Sequence, residues 1–412
     1  MSKIWIFNQY NMPPEYGHLN RHYNLGKYLK KLGHEPTVFV GSYLHNTPYQ
    51  MINDETLIKK YENCDFSYYF IKTCNYGNSK IKRVYAMYEY YKNLLKVTKS
   101  FEKPDVIIGS SAHPLAAIAA IKLGKKYGCQ SIVEIRDLWP ESFTEYGIMS
   151  KKNPILRLLY KGEKWIYEKA DKIIFTMEGG KDYIIEKGWD KDNGGPINLN
   201  KIYHINNGVD LEVFSFNKEQ YHFKDEDLDN PDYFKVVYAG SIRLVNNVKS
   251  IVDAAKEIKN MGEKNIRFII FGEGSDKSSL EEYCQKNKID NVVFKGFVDK
   301  KYIPNILSKS DLNIIHFQQN NIKKYGASLN KMFEYFASGK PTISDCQFGY
   351  DIIKKFNCGF VINNASAKQL AEKIIFISKM PKDEYQKYCV NSLIAAKEYD
   401  FKNLANKLIK LI

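Results

Sequence analysis

Residues 325–341 read Tyr-Gly-Ala-Ser-Leu-Asn-Lys-Met-Phe-Glu-Tyr-Phe-Ala-Ser-Gly-Lys-Pro. The apolar residues of this segment recur at helical spacing, Ser328 or Asn330 can cap the start, and the Gly-Lys-Pro sequence ends the helix. A buried helix explains the apolar residues but not two charged ones. Lys331 and Glu334 lie three residues apart on one face, next to a helix N-terminus whose free amide groups attract an anion. The segment therefore predicts a helix that binds an anionic ligand at its start.

This pattern resembles that of the large retaining glycosyltransferase family 4, whose members carry Lys-x-x-Glu followed by Ala/Tyr-x-Ala-x-Gly-Lys-Pro. The resemblance implies the GT-B fold, an α/β architecture of two facing, doubly wound, Rossmann-like domains. It also implies that Lys331, with the backbone of Ser328 and Leu329, contacts the donor and that Glu334 accepts hydrogen bonds from the ribose hydroxyls. Family members have a second glutamate eight residues before this one. Gly326 stands there in this chain, so we expect its backbone to face the sugar or its phosphate.

The rest of the chain alternates strand and helix patterns twice over 412 residues, a length that exceeds the range of one hydrophobic core. We predict a first domain at residues 1–211, a polar hinge without periodicity at 212–232, and a second domain at 233–395. A helix within 396–412 is expected to cross back to the first domain, as is common in the family. We assign the long, weakly patterned segment 42–64 to acceptor recognition.

In the second domain, loops that follow predicted strands carry further residues that match family 4. Gly240 and Arg243 come directly after a strand, and Lys249 follows Arg243 by six residues. In the family, residues at this spacing clamp the donor diphosphate, and cations there stabilise the negative charge that builds up as the glycosidic bond breaks. Gly272 and Gly274 resemble the glycine turn whose backbone lies near the base. The alternative interpretation is a capped helix with two surface cations and an ordinary tight turn.

In the first domain, His113 stands in a Ser-Ala-His-Pro segment where a strand gives way to a helix. It resembles the family's His-x-Pro segment, whose histidine lies beside the donor sugar and the reaction centre. Asp137 and Trp139 belong to an Arg-Asp-Leu-Trp-Pro-Glu sequence typical of a family 4 subgroup that acts in surface-polysaccharide assembly. Asp137 is a candidate for holding the acceptor hydroxyl. Alternatively, Trp139 and Pro140 only pack the domain cleft.

The loop after the first strand ends with Pro-Glu-Tyr-Gly at Gly17 and resembles the family's first-strand loop. The glycines of that loop let the acceptor and the diphosphate approach the helix backbone closely. Many members have two consecutive glycines, and His18 takes the second place here. We assign Glu15 and Tyr16 to the acceptor side and Gly17 to the donor side. The predicted catalytic residues are His113, Asp137, Arg243 and Lys249.

The formal net charge of +14 suggests an anionic partner, but the excess is spread over both halves and accompanies no nucleic-acid-binding motif. We therefore predict no nucleic-acid partner. One segment, 80–100, concentrates basic residues with interleaved tyrosines. Its predicted apolar helical face consists of Val84, Tyr88, Tyr91 and Leu95. The segment indicates either an ordinary solvated basic face or adhesion to an anionic membrane surface.

Together these features predict a retaining, metal-independent glycosyltransferase without a cofactor, which uses a UDP-sugar. The expected acceptor is a saccharide or a polyprenyl-diphosphate-linked saccharide. Seven scattered cysteines without a Cys-x-x-Cys pair favour reduced thiols in the cytoplasm or at the inner face of the cell membrane. Two alternatives stay open. Non-hydrolysing UDP-N-acetylglucosamine 2-epimerases share the two-domain fold, and a basic nucleic-acid-binding protein would explain the charge.

Overall fold

A computed structural model describes all residues of the chain, 1–412, and divides into two units. The first unit comprises Met1–Asn207 together with Phe401–Ile412, and the second comprises Gly208–Asp400. Each unit is an α/β structure built on its own largely parallel sheet. No helix in the structure is both long enough and apolar enough to cross a membrane.

The strands are numbered in chain order. They are β1 (Lys3–Phe7), β2 (Glu35–Gly41), β3 (Ile58–Lys60), β4 (Ser67–Ile71), β5 (Val106–Ser110), β6 (Gln130–Ile135), β7 (Lys172–Phe175), β8 (Ile202–His204), β9 (Phe234–Ala239), β10 (Ile266–Phe271), β11 (Val292–Gly296), β12 (Leu312–Ile315), β13 (Thr342–Ser344) and β14 (Gly359–Val361).

The α-helices are numbered in the same way. They are α1 (Arg21–Lys31), α2 (Lys80–Val97), α3 (Pro114–Tyr127), α4 (Trp139–Glu145), α5 (Pro154–Lys169), α6 (Gly180–Glu186), α7 (Leu211–Gln220), α8 (Glu226–Asp229), α9 (Val248–Asn260), α10 (Lys277–Lys286), α11 (Ile303–Ser308), α12 (Asn330–Ala337), α13 (Ile352–Phe356), α14 (Ala367–Ser378), α15 (Lys382–Glu398) and α16 (Phe401–Ile409).

The order of strands places the loops that matter for function. The first sheet has the order β3-β4-β2-β1-β5-β6-β7-β8 and is parallel except at β3, and the second has the order β11-β10-β9-β12-β13-β14. The chain reverses its direction of winding between β1 and β5 and between β9 and β12. In doubly wound sheets, ligands bind outside the carboxyl ends of the strands at such switch points. The loops after β1, β5, β9 and β12 are therefore the candidate site loops.

Both sheets are buried on two faces, which explains why their strands read as nearly continuous apolar runs. In the first unit, Trp5 on β1 lies edge-on to Phe39 on β2, with ring centroids 5.7 Å apart. Both side chains belong to a core that α2 and α3 cover. In the second unit, α9 and α14 bury their apolar faces in the core around β9 and β10.

Several elements differ from the prediction. The helix of segment 325–341 spans only Asn330–Ala337. The prediction that Ser328 or Asn330 caps it is wrong, because Leu329, in an extended conformation and without a capping side chain, precedes the first turn. The segment 212–232, predicted to lack periodicity, holds helices α7 and α8. Its polar residues serve as caps there, as when the Asp225 side chain accepts hydrogen bonds from the Asp227 and Leu228 amides at the start of α8.

Helix α2 is confirmed, and its apolar residues lie on two faces. The buried side chains are those of Ala86, Met87, Tyr90, Asn93, Leu94 and Val97. Of the predicted apolar face, Val84 and Tyr88 are exposed to 63% and 54%, whereas Tyr91 and Leu95 pack against the core. The helix has two apolar faces, and the face that contains Tyr90 packs against the core. The Tyr90 hydroxyl donates to the Phe39 carbonyl at 2.7 Å.

Candidate functional site

In the second unit, two glycine-containing loops lock together at the carboxyl ends of β9 and β10. A Cβ atom on Gly272, whose φ is +135°, would lie 1.8 Å from the carbonyl oxygen of Gly240. A Cβ on Gly274 would lie 2.0 Å from the carbonyl oxygen of Ile242, whose amide donates to the Glu273 carbonyl at 3.0 Å. No side chain fits at either glycine. The Gly-x-Gly sequence is thus required for this close approach of two backbones.

Lys331, in the first turn of α12, extends into this edge of the sheet. Its Nζ donates to the Tyr238 hydroxyl at 2.9 Å and lies 4.3 Å from the centroid of that ring. A Cβ on Gly240 would come within 2.6 Å of the same nitrogen. Burial lowers the pKa of Lys331 to about 7, and no carboxylate lies within ion-pair distance. A nearby anion would restore the full positive charge, so this lysine is suited to bind a phosphate.

The other predicted donor residues do not all converge with Lys331. Glu334 faces Lys300, with 3.4 Å between carboxylate oxygen and ammonium nitrogen, and it forms no ion pair with Lys331 on its own helix. The ammonium of Lys249 binds Asp253 on its own helix at 2.6 Å. Arg243 is exposed at the end of the loop that follows β9.

The segment before α12 has a backbone that only glycine adopts readily. Gly326 has a φ of +106°, in the region that disfavours side chains, and its amide donates to the Lys323 carbonyl at 3.0 Å. Residues 327–329 then lead in to the first turn of α12. Ser328 and Leu329 therefore lie next to the first turn of α12, and their contact with a donor stays a prediction.

A histidine and an aspartate that we did not predict support the loop that carries Arg243. His316 follows β12 and Asp345 follows β13, and the imidazole Nδ1 lies 2.5 Å from the Asp345 carboxylate. The other ring nitrogen, Nε2, lies 2.9 Å from the side-chain Nδ2 of Asn247, so Nε2 accepts a hydrogen bond from that side chain. Asn247 precedes α9. The rule that sites gather at the carboxyl ends of strands could have identified both residues.

Cys346 lies beside this pair, and one potential ligand atom from each of the three side chains falls within 4.8 Å of the others. Such a cluster has the residue types of a metal site. Its groups are engaged with protein atoms, however, because the Phe317 amide donates to the Cys346 sulfur at 2.9 Å. Burial also raises the pKa of the Cys346 thiol to about 12, which disfavours the thiolate that a metal needs. We interpret the cluster as a hydrogen-bonded support.

In the first unit, His113 is fully buried between β5 and α3. Its ring lies edge-on to Tyr10 and Tyr90, and neither ring nitrogen has a hydrogen-bond partner. Burial, together with the charge of Arg83, lowers the pKa of His113 to about 3, so the imidazole is neutral at physiological pH. Gln9, just after the neighbouring strand β1, is also buried without partners for its amide. Buried polar atoms are rarely left unpaired, so both side chains are suited to hydrogen-bond a polar ligand.

The first-strand loop meets the segment that we assigned to acceptor recognition. The Tyr61 hydroxyl donates to the carboxylate of Glu15. The Tyr16 ring lies edge-on to Tyr49, with centroids 5.2 Å apart. Gly17 ends the short 3-10 helix of this loop, and a Cβ on it would lie 2.7 Å from the Met12 sulfur. These contacts bring the predicted acceptor residues together with two tyrosines of segment 42–64.

A buried ionic network that the sequence did not reveal fixes the start of α1. Arg21 donates to Glu134 on β6 at 2.9 Å and to the Asn206 carbonyl at 2.5 Å. Asn8 donates to His22 Nδ1, which leaves the proton on Nε2, 3.0 Å from Glu134. Burial alone would raise the pKa of Glu134, but the charge of Arg21 and the contact with His22 hold it well below its ordinary value. The carboxylate is therefore ionised and paired.

Asp137 and Trp139 lie at the carboxyl end of β6. Asp137 is exposed, and Trp139 begins α4 with its ring edge-on to Phe143 at 4.9 Å. The last residue of the motif, Glu141, accepts hydrogen bonds from the Tyr160 hydroxyl at 2.6 Å and from Lys187 at 2.5 Å. The motif thus has a structural part, which ties α4 to α5, and an exposed carboxylate that is available to a ligand.

Glu163 on α5 is fully buried and accepts hydrogen bonds from Tyr167 at 2.7 Å and Tyr183 at 2.8 Å. Burial raises the pKa of Glu163 to about 7, although the two hydrogen bonds from the tyrosines act to lower it. The folded chain therefore holds this proton more tightly than the unfolded chain, in which the pKa is about 4.3. The resulting stability is fully present below pH ~4.3 and is lost as the pH rises through 7.

We accordingly expect Glu163→Gln to raise the free energy of unfolding at pH 8 by about 1–3 kcal/mol and to change it little at pH 5. Thermal denaturation across this pH range measures the effect. Glu168→Gln, on a less buried position of the same helix, should keep the wild-type pH profile. Parallel profiles for wild type and Glu163→Gln would show that Glu163 does not titrate in this range.

Two family models match the chain. Residues 20–213 match the model described as Glycosyltransferase Family 4, and residues 220–392 match the one described as Glycosyl transferases group 1. EpsD of Bacillus subtilis (strain 168), which is named as a glycosyltransferase, is 25% identical over 293 residues, or 69% of this chain and 70% of EpsD.

WcaI of Escherichia coli (strain K12), named for a glycosyl transferase of colanic acid biosynthesis, is 23% identical over 230 residues. The match covers 55% of this chain and 52% of WcaI, so the chain spans about half the length of that relative. The crystal structure of Anabaena HepE in complex with UDP and glucose superposes with a TM-score of 0.64 at 14% identity. The superposition covers 100% of this chain and 99% of HepE, which shows that the two proteins share a fold.

Proposed function

Because the chain belongs to the glycosyltransferases of family 4, which match both of its halves, we propose that it moves a sugar from a UDP-sugar to a saccharide or lipid-linked saccharide. The transfer retains the anomeric configuration and needs no metal. It serves the assembly of a surface polysaccharide, the class of process for which WcaI is named. The choice of UDP as the donor nucleotide is supported by HepE, which shares the fold and binds UDP.

The observation that carries this proposal is the partly buried ammonium of Lys331 at the carboxyl end of β9. It has a hydroxyl partner and no carboxylate, and its pKa of about 7 means that an anion is needed to keep it fully charged. It lies beside the backbone of Gly240 and the first turn of α12. A diphosphate at this point meets a cation and the positive end of a helix dipole together.

Stabilisation of the leaving diphosphate is then the main catalytic contribution of the second unit. Arg243 and Lys249 complete the clamp, and Lys249 must exchange its contact with Asp253 for one with the phosphate. Preorganised cations of this kind lower the barrier because charge develops on the departing oxygen. The departing phosphate oxygen takes the proton of the acceptor hydroxyl on the face that the acceptor attacks, so the reaction uses no protein nucleophile.

The first unit contributes His113 and Asp137. The neutral imidazole of His113 can donate one hydrogen bond and accept another, which suits a sugar hydroxyl or a phosphate oxygen beside the reacting carbon. Asp137 holds the acceptor hydroxyl through its exposed carboxylate. Glu15, Tyr16 and Trp139 surround the acceptor saccharide.

We further propose that an anionic membrane surface presents the acceptor. Helix α2 exposes an apolar stripe at i, i+3, i+4 and i+7, formed by Ile81, Val84, Tyr85 and Tyr88. Lysines and an arginine of the same helix flank this stripe. An exposed apolar stripe with flanking cations is typical of helices that lie in a membrane interface. Vesicles with anionic lipid should sediment with the protein, and lack of co-sedimentation would contradict this part of the proposal.

Donor binding can be tested at Glu334, the proposed partner of the ribose hydroxyls. Glu334→Ala is expected to weaken UDP binding by roughly 10- to 100-fold, which corresponds to the loss of charge-assisted hydrogen bonds. Isothermal titration calorimetry with UDP measures the change. Glu372→Ala, which removes an exposed carboxylate on α14, should bind UDP like wild type.

Equal affinities of wild type and Glu334→Ala for UDP would contradict the assigned role of Glu334. Incubation with UDP-N-acetylglucosamine in the absence of an acceptor separates transfer from isomerisation. We expect slow hydrolysis or no reaction. Formation of an epimer would contradict the transferase proposal and favour an epimerase.

A further inference from the structure

The first unit contains an apolar cavity of about 200 Å³ between α3, α4 and α5. Its walls are almost entirely hydrocarbon and include Ile118, Ile135, Leu159 and Ile166. Apolar cavities of about 150 Å³ with such walls stay free of water and bind a molecule such as benzene. This cavity can therefore hold a hydrocarbon group of that size or slightly larger.

A glycine in the wall of the cavity has no explanation in the packing of the protein. Gly162 lies in the middle of α5 at an exposed position, and a Cβ atom on it would meet nothing within 4 Å. Glycine at such a position costs about 1 kcal/mol relative to alanine. Nothing in the fold needs the space that it leaves. A ligand that enters the cavity past α5 does need it.

Among the polar residues that line the cavity, Glu163 and Tyr167 are hydrogen-bonded to each other, and Ser111 and Asp137 indicate that the ligand also has a polar end. Ser111 lines the cavity, and its hydroxyl is buried without a hydrogen-bond partner. The exposed carboxylate of Asp137, to which we assigned the acceptor hydroxyl, also lines it. The acceptor and the cavity ligand are therefore next to each other or are one molecule.

We propose that the cavity binds the hydrocarbon chain of a lipid-linked acceptor, an inference that rests on the proposed function. Outside the cavity the apolar surface continues along α5 through Leu158 and Ile155, which are exposed to 69% and 56%. A chain of branched hydrocarbon can follow this surface from the cavity outward. Exposed cations at Lys151, Lys152 and Lys161 lie along the same segment and suit the phosphate groups that such lipids carry.

An unmodified saccharide fits this cavity poorly, because nearly all of its hydroxyls would lose their hydrogen bonds to water. A hydrocarbon chain loses none. Each methylene group that enters the cavity is expected to strengthen binding roughly fourfold. The cavity thus distinguishes lipid-linked acceptors from free saccharides of the same structure.

Binding of geranyl phosphate to the full chain tests this proposal, with inorganic phosphate as the probe that lacks hydrocarbon. We compare wild type, Gly162→Leu, which adds a bulky side chain at the exposed rim of the cavity, and Gly162→Ala, which changes helix propensity but adds only one methyl group. Calorimetry should show that wild type and Gly162→Ala bind geranyl phosphate with affinities within about threefold. Gly162→Leu should bind it at least tenfold more weakly, and inorganic phosphate should bind all three proteins equally.

Hydrogen exchange on the wild-type protein gives a second readout that needs no variant. Geranyl phosphate should slow exchange in α4 and α5, and inorganic phosphate should not. No binding of geranyl phosphate, equal binding by Gly162→Leu, or unchanged exchange in α4 and α5 would each overturn the proposal. Suppose that wild type binds geranyl phosphate more tightly than Gly162→Leu does, but does not bind UDP. This result would contradict the proposed function and leave the cavity assignment standing.

Discussion

Replacing Lys249 with alanine is expected to lower the turnover number by two to three orders of magnitude and to leave the melting temperature nearly unchanged. A cation that contacts the departing diphosphate contributes about this much to a rate, because it stabilises charge that is larger in the transition state than in the bound donor. In the free protein the ammonium forms a partly exposed ion pair with Asp253 and lies 4.6 Å from the centroid of the Tyr283 ring. Such pairs contribute about 0–1 kcal/mol to folding. Lys249→Ala should therefore lose turnover without losing stability.

Lys256→Ala is the matched control for Lys249→Ala. Lys256 is carried by the same helix, α9, and donates to the Asn287 side chain at 2.9 Å. Its removal should leave turnover within about twofold of wild type. Near-normal turnover of Lys249→Ala would refute the role of Lys249, and an equal loss in both variants would indicate that only the general charge of the helix matters.

Replacing Glu134 with alanine is expected to destabilise the first unit by about 3–5 kcal/mol, because it leaves the Arg21 guanidinium buried without its counter-ion. For a unit of this size the melting temperature should fall by roughly 10 °C. The pKa of Glu134 is depressed in the folded chain, so its stabilising effect is present above pH ~4.3 and is lost as the pH falls further. The difference between wild type and variant should therefore shrink in acid.

Thermal denaturation of Glu134→Ala and Glu102→Ala makes the comparison. Glu102 pairs with Lys3 at the surface, where its side chain is 81% exposed, and its loss should be nearly neutral. A melting temperature of Glu134→Ala within 2 °C of wild type would contradict the structural importance of the network.

The fold could be predicted from the sequence because its evidence is local. Buried parallel strands read as apolar runs, and the residues around Lys331 and Glu334 follow each other along one short helix. The glycine turn at Gly272 could be recognised as well, since a single residue type satisfies its geometry. In each of these cases, residues close in sequence determine the structure.

The rest depends on residues that are far apart in sequence. Arg21 and Glu134 are separated by 113 positions, and no periodicity connects them. The raised pKa of Glu163 and the lowered pKa of Lys331 result from burial, which a sequence pattern does not reveal for a single charged residue. Helix α2 was recognised, but its two apolar stripes could not be ranked without knowing what covers them.

The measurement that tests the central claim most directly is the thermal stability of the full chain in the presence of nucleotides. UDP and UDP-sugars should raise the melting temperature, because a ligand present at 100 times its dissociation constant stabilises the folded state by about 2.7 kcal/mol. Uridine, which lacks the diphosphate, should have little effect at the same concentration. If no nucleoside diphosphate or nucleotide sugar raises the melting temperature at millimolar concentration, the site at Lys331 does not bind a sugar donor and the account is contradicted.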